Sequence, residues 1–385
     1  DRLYMDASNG DGIHIENANN VEKIFLQNTT IDSDNYYGLY IRSSTVSNIT
    51  VYNSTIDTTK SSIHLYSVTV SDFTLEDTSL ACSTCSSENN QPGGNIAVRY
   101  ENTVTNLTIR RSSLQGKHNI QVWDSTVTNL TIERSSLDAE DMGIYMSKPT
   151  GQALGIDNCY LIDSTINSGS DAIGTWFLYD NSKTIKNLTI SNLTISSGGN
   201  GIHLTATGNI ENIIADQLYM DASNGYGFYI KNVNNITLKN SIIDSSNDGL
   251  YISGADNIEK IFLHNLTLDF DYNSGISIDA NNIHNITVEN CSIVSDTTGK
   301  YYGVIFGDSE SDNIDNIDIS DTVIKVKAGV KIAATVDNFT AENIIVNTSY
   351  SSAGGLEFTG VINNASVLNS IFGVSSAWGL SLIHI

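Results

Sequence analysis

Residues 249–268 read GLYISGADNIEKIFLHNLTL, and residues 275–293 read GISIDANNIHNITVENCSI. Both stretches begin with glycine, continue with alternating apolar and polar residues, and place an asparagine near the end, Asn265 or Asn290. Alternation with a period of two is the pattern of a β-strand with one buried face, and differs from the helical pattern. Each stretch is therefore predicted to form one coil of strand, turn and strand, with Ile, Leu and Val inside.

Similar stretches recur along the whole chain, mostly about 22 to 29 residues apart. A repeat of this length is typical of stacked architectures, in which each unit buries its apolar side against its neighbours. The prediction is one all-β solenoid of about fourteen coils over residues 1–379. The sequence LYMDASNG occurs from Leu3 and from Leu218, and EKIFL occurs from Glu22 and from Glu259. The two offsets differ by the length of one coil, which indicates that the array grows or shrinks in whole coils.

One polar position follows the central apolar run of each coil. A short side-chain amide there can hydrogen-bond its own turn and the equivalent side chains of adjacent coils. Most coils place asparagine or aspartate at this position, and three place arginine or glutamine. The column consists of Asn28, Asn53, Asp77, Arg111, Arg134, Asp163, Asn192, Gln217, Asn240, Asn265, Asn290, Asp321, Asn343 and Asn369.

With these columns the chain resembles the right-handed parallel β-helix superfamily, which includes pectate lyases, polygalacturonases and surface repeat proteins. The resemblance covers essentially the whole chain and implies a right-handed, single-stranded parallel β-helix. It is specific for the fold, so the function has to be argued from individual side chains.

Composition narrows the range of partners. The formal net charge is −24 with only 19 Lys and Arg residues, which argues against nucleic acid and anionic membrane surfaces. No apolar run is long enough to insert into a membrane. The chain starts within a coil, and the sequence has no recognisable polar cap at either end, so we expect a fragment, truncated at both ends, of an extracellular or cell-surface protein. Residues 380–385, LSLIHI, resemble the translation of a sequencing adapter, although they also fit the start of another coil.

Aromatic and polar residues recur at the outward positions of the strand that follows each glycine. Exposed aromatic residues that form a row along one face can stack on sugar rings, while neighbouring polar groups bind the sugar hydroxyls. The alternative is that tyrosine simply suits a half-exposed strand. The first interpretation predicts a surface that binds polysaccharides or other glycans. Its candidate residues are Tyr40, His64, Tyr66, Trp123, Tyr145, His203, Tyr229 and Tyr251.

Catalysis is the second hypothesis, because Gly169-Ser-Asp-Ala-Ile is similar to the Gly-Asp-Asp-Ala-Ile motif of polygalacturonases. Here Ser170 replaces one aspartate, and Asn200 replaces the histidine of the next family motif. An inverting hydrolase needs a pair of carboxyl groups, and this pair is broken. An enzyme of the pectin-degrading type, either a lyase or a hydrolase, would have to use Asp141, Asp171 and Lys231. A structural spacer within a surface fibre is the third hypothesis.

The sequence predicts no resident cofactor. Calcium is the one ion that it allows, at an acidic stretch that more commonly forms a solvated face. That stretch contains Asp308, Glu310, Asp312, Asp315 and Asp318.

Three segments depart from the repeat and are predicted to be loops, namely Ala81–Gly94, Ser147–Gly155 and Trp176–Thr184. In the first of them, Cys82 and Cys85 favour a loop-closing disulfide in an exported protein over a zinc site.

Overall fold

The computed structural model describes residues 3–86, 93–148, 155–178, 185–296, 302–307, 312–348 and 354–374. These residues form parallel β-strands, and no helix occurs among them. The strands begin with β1 Leu3–Asp6, β2 Ile13–Glu16, β3 Ile24–Gln27, β4 Thr29–Ser33, β5 Leu39–Arg42, β6 Thr45–Tyr52, β7 Thr55–Lys60, β8 Ile63–Tyr66, β9 Thr69–Glu76, β10 Ser79–Ser86, β11 Ile96–Arg99, β12 Thr103–Val104, β13 Leu107–Arg110, β14 Ser113–Gly116, β15 Ile120–Trp123, β16 Thr126–Glu133, β17 Ser136–Ala139 and β18 Ile144–Lys148. They continue with β19 Ile156–Ser168, β20 Ile173–Leu178, β21 Ile185–Ser197, β22 Ile202–Ala222, β23 Phe228–Ser245, β24 Leu250–Phe270, β25 Ile276–Glu289, β26 Ser292–Val294, β27 Tyr302–Phe306, β28 Asn313–Ser320, β29 Val323–Val326, β30 Ala328–Ile332, β31 Thr335–Glu342, β32 Ile345–Thr348, β33 Leu356–Phe358, β34 Ile362–Leu368 and β35 Ile371–Val374.

Contacts within the chain group it into two units. Unit 1 comprises residues 1–198 and 204–208, and unit 2 comprises residues 199–203 and 209–385. In unit 1 each strand pairs with its equivalent one coil later, as Leu39 pairs with Ile63 in β5 and β8. In unit 2 Leu250 of β24 pairs in the same way with Ile276 of β25. Each unit is therefore a right-handed parallel β-solenoid, and the described coils make about 13 turns.

Several coils contain three strands, where the sequence predicted two. The coil that begins at Leu39 is made of β5, β6 and β7, and Asn53 lies between the last two. The backbone of Asn53 is left-handed, with φ of 45°, which turns the chain from the second strand into the third. The second and third strands of this coil, β6 and β7, follow each other closely within one stretch of alternating residues. The alternation alone therefore does not reveal the turn between them.

The asparagine column coincides with this left-handed turn. All fourteen of its positions have φ between 45° and 58°, a region in which asparagine and aspartate are the least strained residues after glycine. The side chains also bind one another between coils, as the sequence predicted. Asn53 Nδ2 donates to Asn28 Oδ1 at 2.7 Å, and Asn265 Nδ2 donates to Asn240 Oδ1 at 2.8 Å.

A second asparagine ladder runs along unit 1. Asn106 Nδ2 donates to Asp72 Oδ1 at 2.9 Å, and Asn129 Nδ2 donates to Asn106 Oδ1 at 2.8 Å. The ladder continues through Asn158 to Asn187, whose Nδ2 donates to Asn158 Oδ1 at 3.0 Å. Several of these residues form N-x-[Ser/Thr] sequences. The ladder explains why such sequences recur, because each asparagine is followed two residues later by an outward threonine or its equivalent.

The structure corrects the first predicted loop in part. Ala81–Ser86 continues strand β10 instead of leaving the coil, and Cys82 and Cys85 form a disulfide. Cys82 pairs with Gly116 of the next coil. A β-carbon at Gly116 would lie 2.5 Å from Cys82 Sγ. The disulfide therefore packs into the coil, which is why the strand continues. Trp176–Leu178 similarly belongs to β20, and the remaining parts of the predicted loops lie largely outside the described residues.

Candidate functional site

Unit 2 carries a compact group of rings on its first strand face. Tyr229 of β23 and Tyr251 of β24 pair in register, and their rings stack with centroids 5.1 Å apart and planes 17° apart. The Tyr226 ring centroid lies 5.0 Å from that of Tyr229 and 5.5 Å from that of Tyr251. His203 meets Tyr229 edge-on at 4.9 Å. All four side chains are half-buried, and they are called the aromatic cluster below.

Polar groups hold the aromatic cluster in place. The Tyr226 N–H donates to Asn200 Oδ1 at 2.9 Å, and Asn200 Nδ2 lies 3.4 Å from His203 Nδ1. Asp248 is buried beside the cluster and accepts the Ser274 N–H at 2.5 Å. Burial raises the pKa of Asp248 to about 7, against the opposing effect of the Ser274 hydrogen bond. Burial, followed by the Asp248 charge, likewise raises the pKa of Tyr226.

Unit 1 repeats the same arrangement at the same spacing in the chain. His14 meets Tyr40 edge-on at 4.9 Å, and the Tyr37 and Tyr40 rings stack at 5.0 Å. The Tyr37 N–H donates to Asp11 Oδ1 at 3.1 Å, as Tyr226 does to Asn200 in unit 2. Tyr37 and Tyr40 are, however, only 3% and 4% exposed. The two units therefore carry the same arrangement, with its two tyrosines buried in unit 1 and half-buried in unit 2.

The aromatic side chains at the outward positions of the strand after each glycine were predicted to be exposed. This prediction is wrong for Tyr40, His64 and Tyr145. All three are buried, with His64 only 1% exposed. The cause is a large side chain that lies just before the strand of the same or a neighbouring coil and packs against the outward ring. Tyr37 packs edge-on against His64 at 4.5 Å, and the ring of His118 stacks on Tyr145 at 5.0 Å.

His64 is buried without a polar partner. Neither of its ring nitrogens has a hydrogen-bond partner among the described residues. Burial, with the positive charges of Arg99 and Lys60, lowers the pKa of His64 to about 3. Tyr66 and Trp123 remain half-buried, and the Arg99 guanidinium lies 4.8 Å from the Trp123 ring centre.

The residues proposed for catalysis fall in both units. In unit 1, Asp141 lies 3.8 Å from His118 Nε2, and Asp171 is buried, with 6% of its surface exposed. Burial lowers the pKa of His118 to about 4, against the opposing charge of Asp141. In unit 2, Lys231 lies 5.9 Å from the Tyr229 ring centre. Lys231 therefore joins the aromatic cluster.

A groove of about 510 Å³ lies on another face of unit 1. Its rim includes Asp57, Gln115, Asp138 and Asn167, with Glu140 also contributing. Such groups can bind hydroxyls, but none of the described residues lining the groove is aromatic. Asp141 and Asp171 are not among them. The groove thus offers polar groups without an aromatic ring, in contrast to the aromatic cluster.

The acidic stretch considered for calcium is partly described. Asp308 and Glu310 lie outside the described residues. Asp312 is buried, and Asp315 pairs with His284 at 2.7 Å. Burial and the nearby Glu289 charge raise the pKa of Asp318. Over the described parts of the chain, no three His, Cys, Asp or Glu side chains are grouped so that they could hold a metal ion.

Tyr226 is the member of the aromatic cluster that the sequence analysis missed. It lies just before the glycine of its coil, outside the outward strand positions that were considered. A repeated motif could have revealed it, because Tyr-Gly-Φ-Tyr occurs both at Tyr37–Tyr40 and at Tyr226–Tyr229, where Φ is apolar.

Comparison with known proteins supports the fold and leaves the activity open. A family model described as a right handed beta helix region matches residues 177–264. No curated protein matches the chain. None of the described segments is a helix long and apolar enough to cross a membrane. The stacked parallel coils, together with the family match over residues 177–264, show a right-handed parallel β-helix and make the chain similar to that superfamily.

Proposed function

We propose that this β-helix repeat protein is exported or displayed at a cell surface, and that it binds glycans without cleaving them. The observation that carries the proposal is the aromatic cluster, in which Tyr226, Tyr229 and Tyr251 lie within 5.0 to 5.5 Å of one another and remain half-buried. Aromatic rings bury the apolar faces of sugars, while phenol and carboxyl groups bind sugar hydroxyls.

Charge favours a neutral glycan over a polyuronide. The chain has a formal net charge of −24, which repels polyanions at long range. Lys231 is the cation nearest to the Tyr229 ring among the described contacts, and the charge of Asp248 acts on Tyr226. The Cys82–Cys85 disulfide supports an exported location, because disulfides persist mainly in oxidising compartments.

Affinity electrophoresis tests this proposal. The protein is run through native gels that contain mixed-linkage β-glucan, xyloglucan or glucomannan, and through a polygalacturonate gel as the anionic comparison. We expect retardation in at least one neutral gel, and we expect the Tyr229→Ala, Tyr251→Ala double variant to lose it. Removal of two stacking rings should weaken binding by about tenfold or more.

Tyr219→Ala is the matched control, because Tyr219 is also in unit 2 and is 48% exposed but lies outside the aromatic cluster. Its retardation should equal that of the parent. The proposal is wrong if the parent is not retarded in any neutral gel, or if the double variant is retarded as strongly as Tyr219→Ala. The first outcome would favour the structural spacer.

A further inference from the structure

The tyrosine stack of unit 2 ends abruptly at a serine. Along the outward column, Tyr229 pairs with Tyr251, Tyr251 pairs with Ser277, and Ser277 pairs with Ile305. Ser277 is half-buried and has a much smaller side chain than Tyr251 before it and Ile305 after it. The coil that contains Ser277 therefore leaves a recess in the file of large side chains, called the serine notch below.

Ring orientation determines which aromatic surfaces a ligand can reach. Tyr229 and Tyr251 are nearly parallel, at 17°, so each covers one face of the other. His203 meets Tyr229 edge-on from the opposite side, at 82°. A sugar that lay along the outside of this file would meet mainly ring edges and hydroxyl groups. The face of Tyr251 that points towards Ser277 is the broad apolar surface left for stacking.

The serine notch has the width of one flat ring. Adjacent parallel strands are about 4.8 Å apart, so the coils of Tyr251 and Ile305 are about 9.6 Å apart. A ring held between two walls needs contacts of about 3.5 to 4.0 Å on each side, or about 7 to 8 Å between the walls. One pyranose ring therefore fits, whereas a second ring in the same direction does not.

The large side chain that precedes Ile305 in the next coil, Tyr302, is turned away from the serine notch. Tyr302 lies one coil beyond Ser274, but its hydroxyl donates to Glu357 Oε2 at 3.0 Å. Glu357 pairs with Lys331, and Lys331 pairs with Ile305, so Tyr302 reaches past its own coil in the direction away from Ser277. On the near side, Asp248 is bound to the backbone of Ser274. The notch thus joins an apolar ring face to a carboxyl and a hydroxyl group.

We propose that the serine notch is a subsite for a single neutral pyranose ring, stacked on Tyr251 and hydrogen-bonded through Ser277 and Asp248. The ring plane lies parallel to the coils, so the glycan crosses the coil stack of unit 2 and does not follow the tyrosine file. Such a subsite suits a chain end or a side branch. This inference rests on the proposed glycan binding and specifies where and how the glycan sits.

Filling the notch is a direct test. Ser277→Tyr extends the file with the same residue type that the two preceding coils already hold. A ligand in the notch would be excluded, and retardation in the neutral gels should fall by about tenfold. A ligand that followed the file would instead gain a ring and bind equally well or more tightly. Ser277→Ala is the matched control, and it should keep the notch open and lose about threefold or less.

A length series provides a second measurement that needs no variant. With cello-oligosaccharides and manno-oligosaccharides of two to six units as competitors, a one-ring subsite predicts that affinity stops increasing at two or three units. Affinity that rises steadily to six units, or retention of binding by folded Ser277→Tyr, would overturn the notch. In both cases glycan binding itself would stand, and absence of binding by the parent would remove both proposals.

Discussion

Ile261→Asp is the sharpest test of the coil architecture in unit 2. Ile261 has no exposed surface and pairs in register with Ile236 on one side and Ile286 on the other. Replacement removes the stabilisation that comes from burying one isoleucine side chain, which is about 1.5 to 3 kcal/mol. The new carboxyl group also lacks a partner, which costs about 1 to 3 kcal/mol even when it is protonated. We expect a loss of about 2.5 to 6 kcal/mol in the free energy of unfolding.

The neighbouring residue provides a matched control. Lys260 is exposed, and its ammonium lies 5.1 Å from the Phe262 ring centre. Lys260→Asp removes this cation–π contact, about 0.5 to 1 kcal/mol, and buries nothing. This control changes the charge by two units and Ile261→Asp by one. A simple charge effect would therefore make the control the less stable variant, opposite to the expected order.

Urea denaturation followed by circular dichroism measures the difference. With a denaturant slope of about 1 to 3 kcal/mol per molar, Ile261→Asp should lower the midpoint by at least about 0.8 M. At the same slope, Lys260→Asp should shift it by less than about half as much as Ile261→Asp. Equal midpoints would show that Ile261 does not face the interior, and would refute the assignment of inward and outward positions.

Two further predictions concern pH and catalysis. The pKa of His64 is about 3 in the folded chain and 6.5 ordinarily, so its neutral burial contributes stability above pH 6.5 that is lost as pH falls towards 3. The parent should therefore lose more stability between pH 7 and pH 4.5 than His64→Phe in urea titrations, and equal losses would contradict the burial of a neutral imidazole. Polygalacturonate should yield no new reducing ends with or without calcium, because Ser170 replaces the second carboxylate. Turnover that disappears in Asp171→Asn would reverse this conclusion.

Residues that repeat in every coil could be predicted from sequence, because stacking subjects each copy to the same constraint. Ile261 and Asn265 belong to columns whose burial and backbone conformation follow directly from their position in the repeat. The exposure of the outward rings could not be predicted in this way. Tyr40 is buried and Tyr229 is half-buried, although both follow the same motif.

The difference between the outward rings depends on contacts that vary from coil to coil. In unit 1 Tyr37 packs over His64, whereas the coil after Tyr226 in unit 2 presents Asp248 and Tyr251. The repeat predicts the residues that occupy equivalent positions in every coil, whereas the candidate site is formed by residues that differ from one coil to the next. The serine notch is an example, because it exists only relative to the tyrosines of the preceding coils.

The asparagine ladders also have a direction, which limits how such a chain can evolve. Each amide donates towards the preceding coil and accepts from the following one, as Asn290 and Asn265 do. Aspartate can accept but cannot donate when it is ionised, so it can only begin a hydrogen-bonded run. Asp72 and Asp321 occupy that starting place, beneath Asn106 and Asn343 respectively. A duplicated coil that carries asparagine can therefore enter a run anywhere, whereas one that carries aspartate divides the run in two.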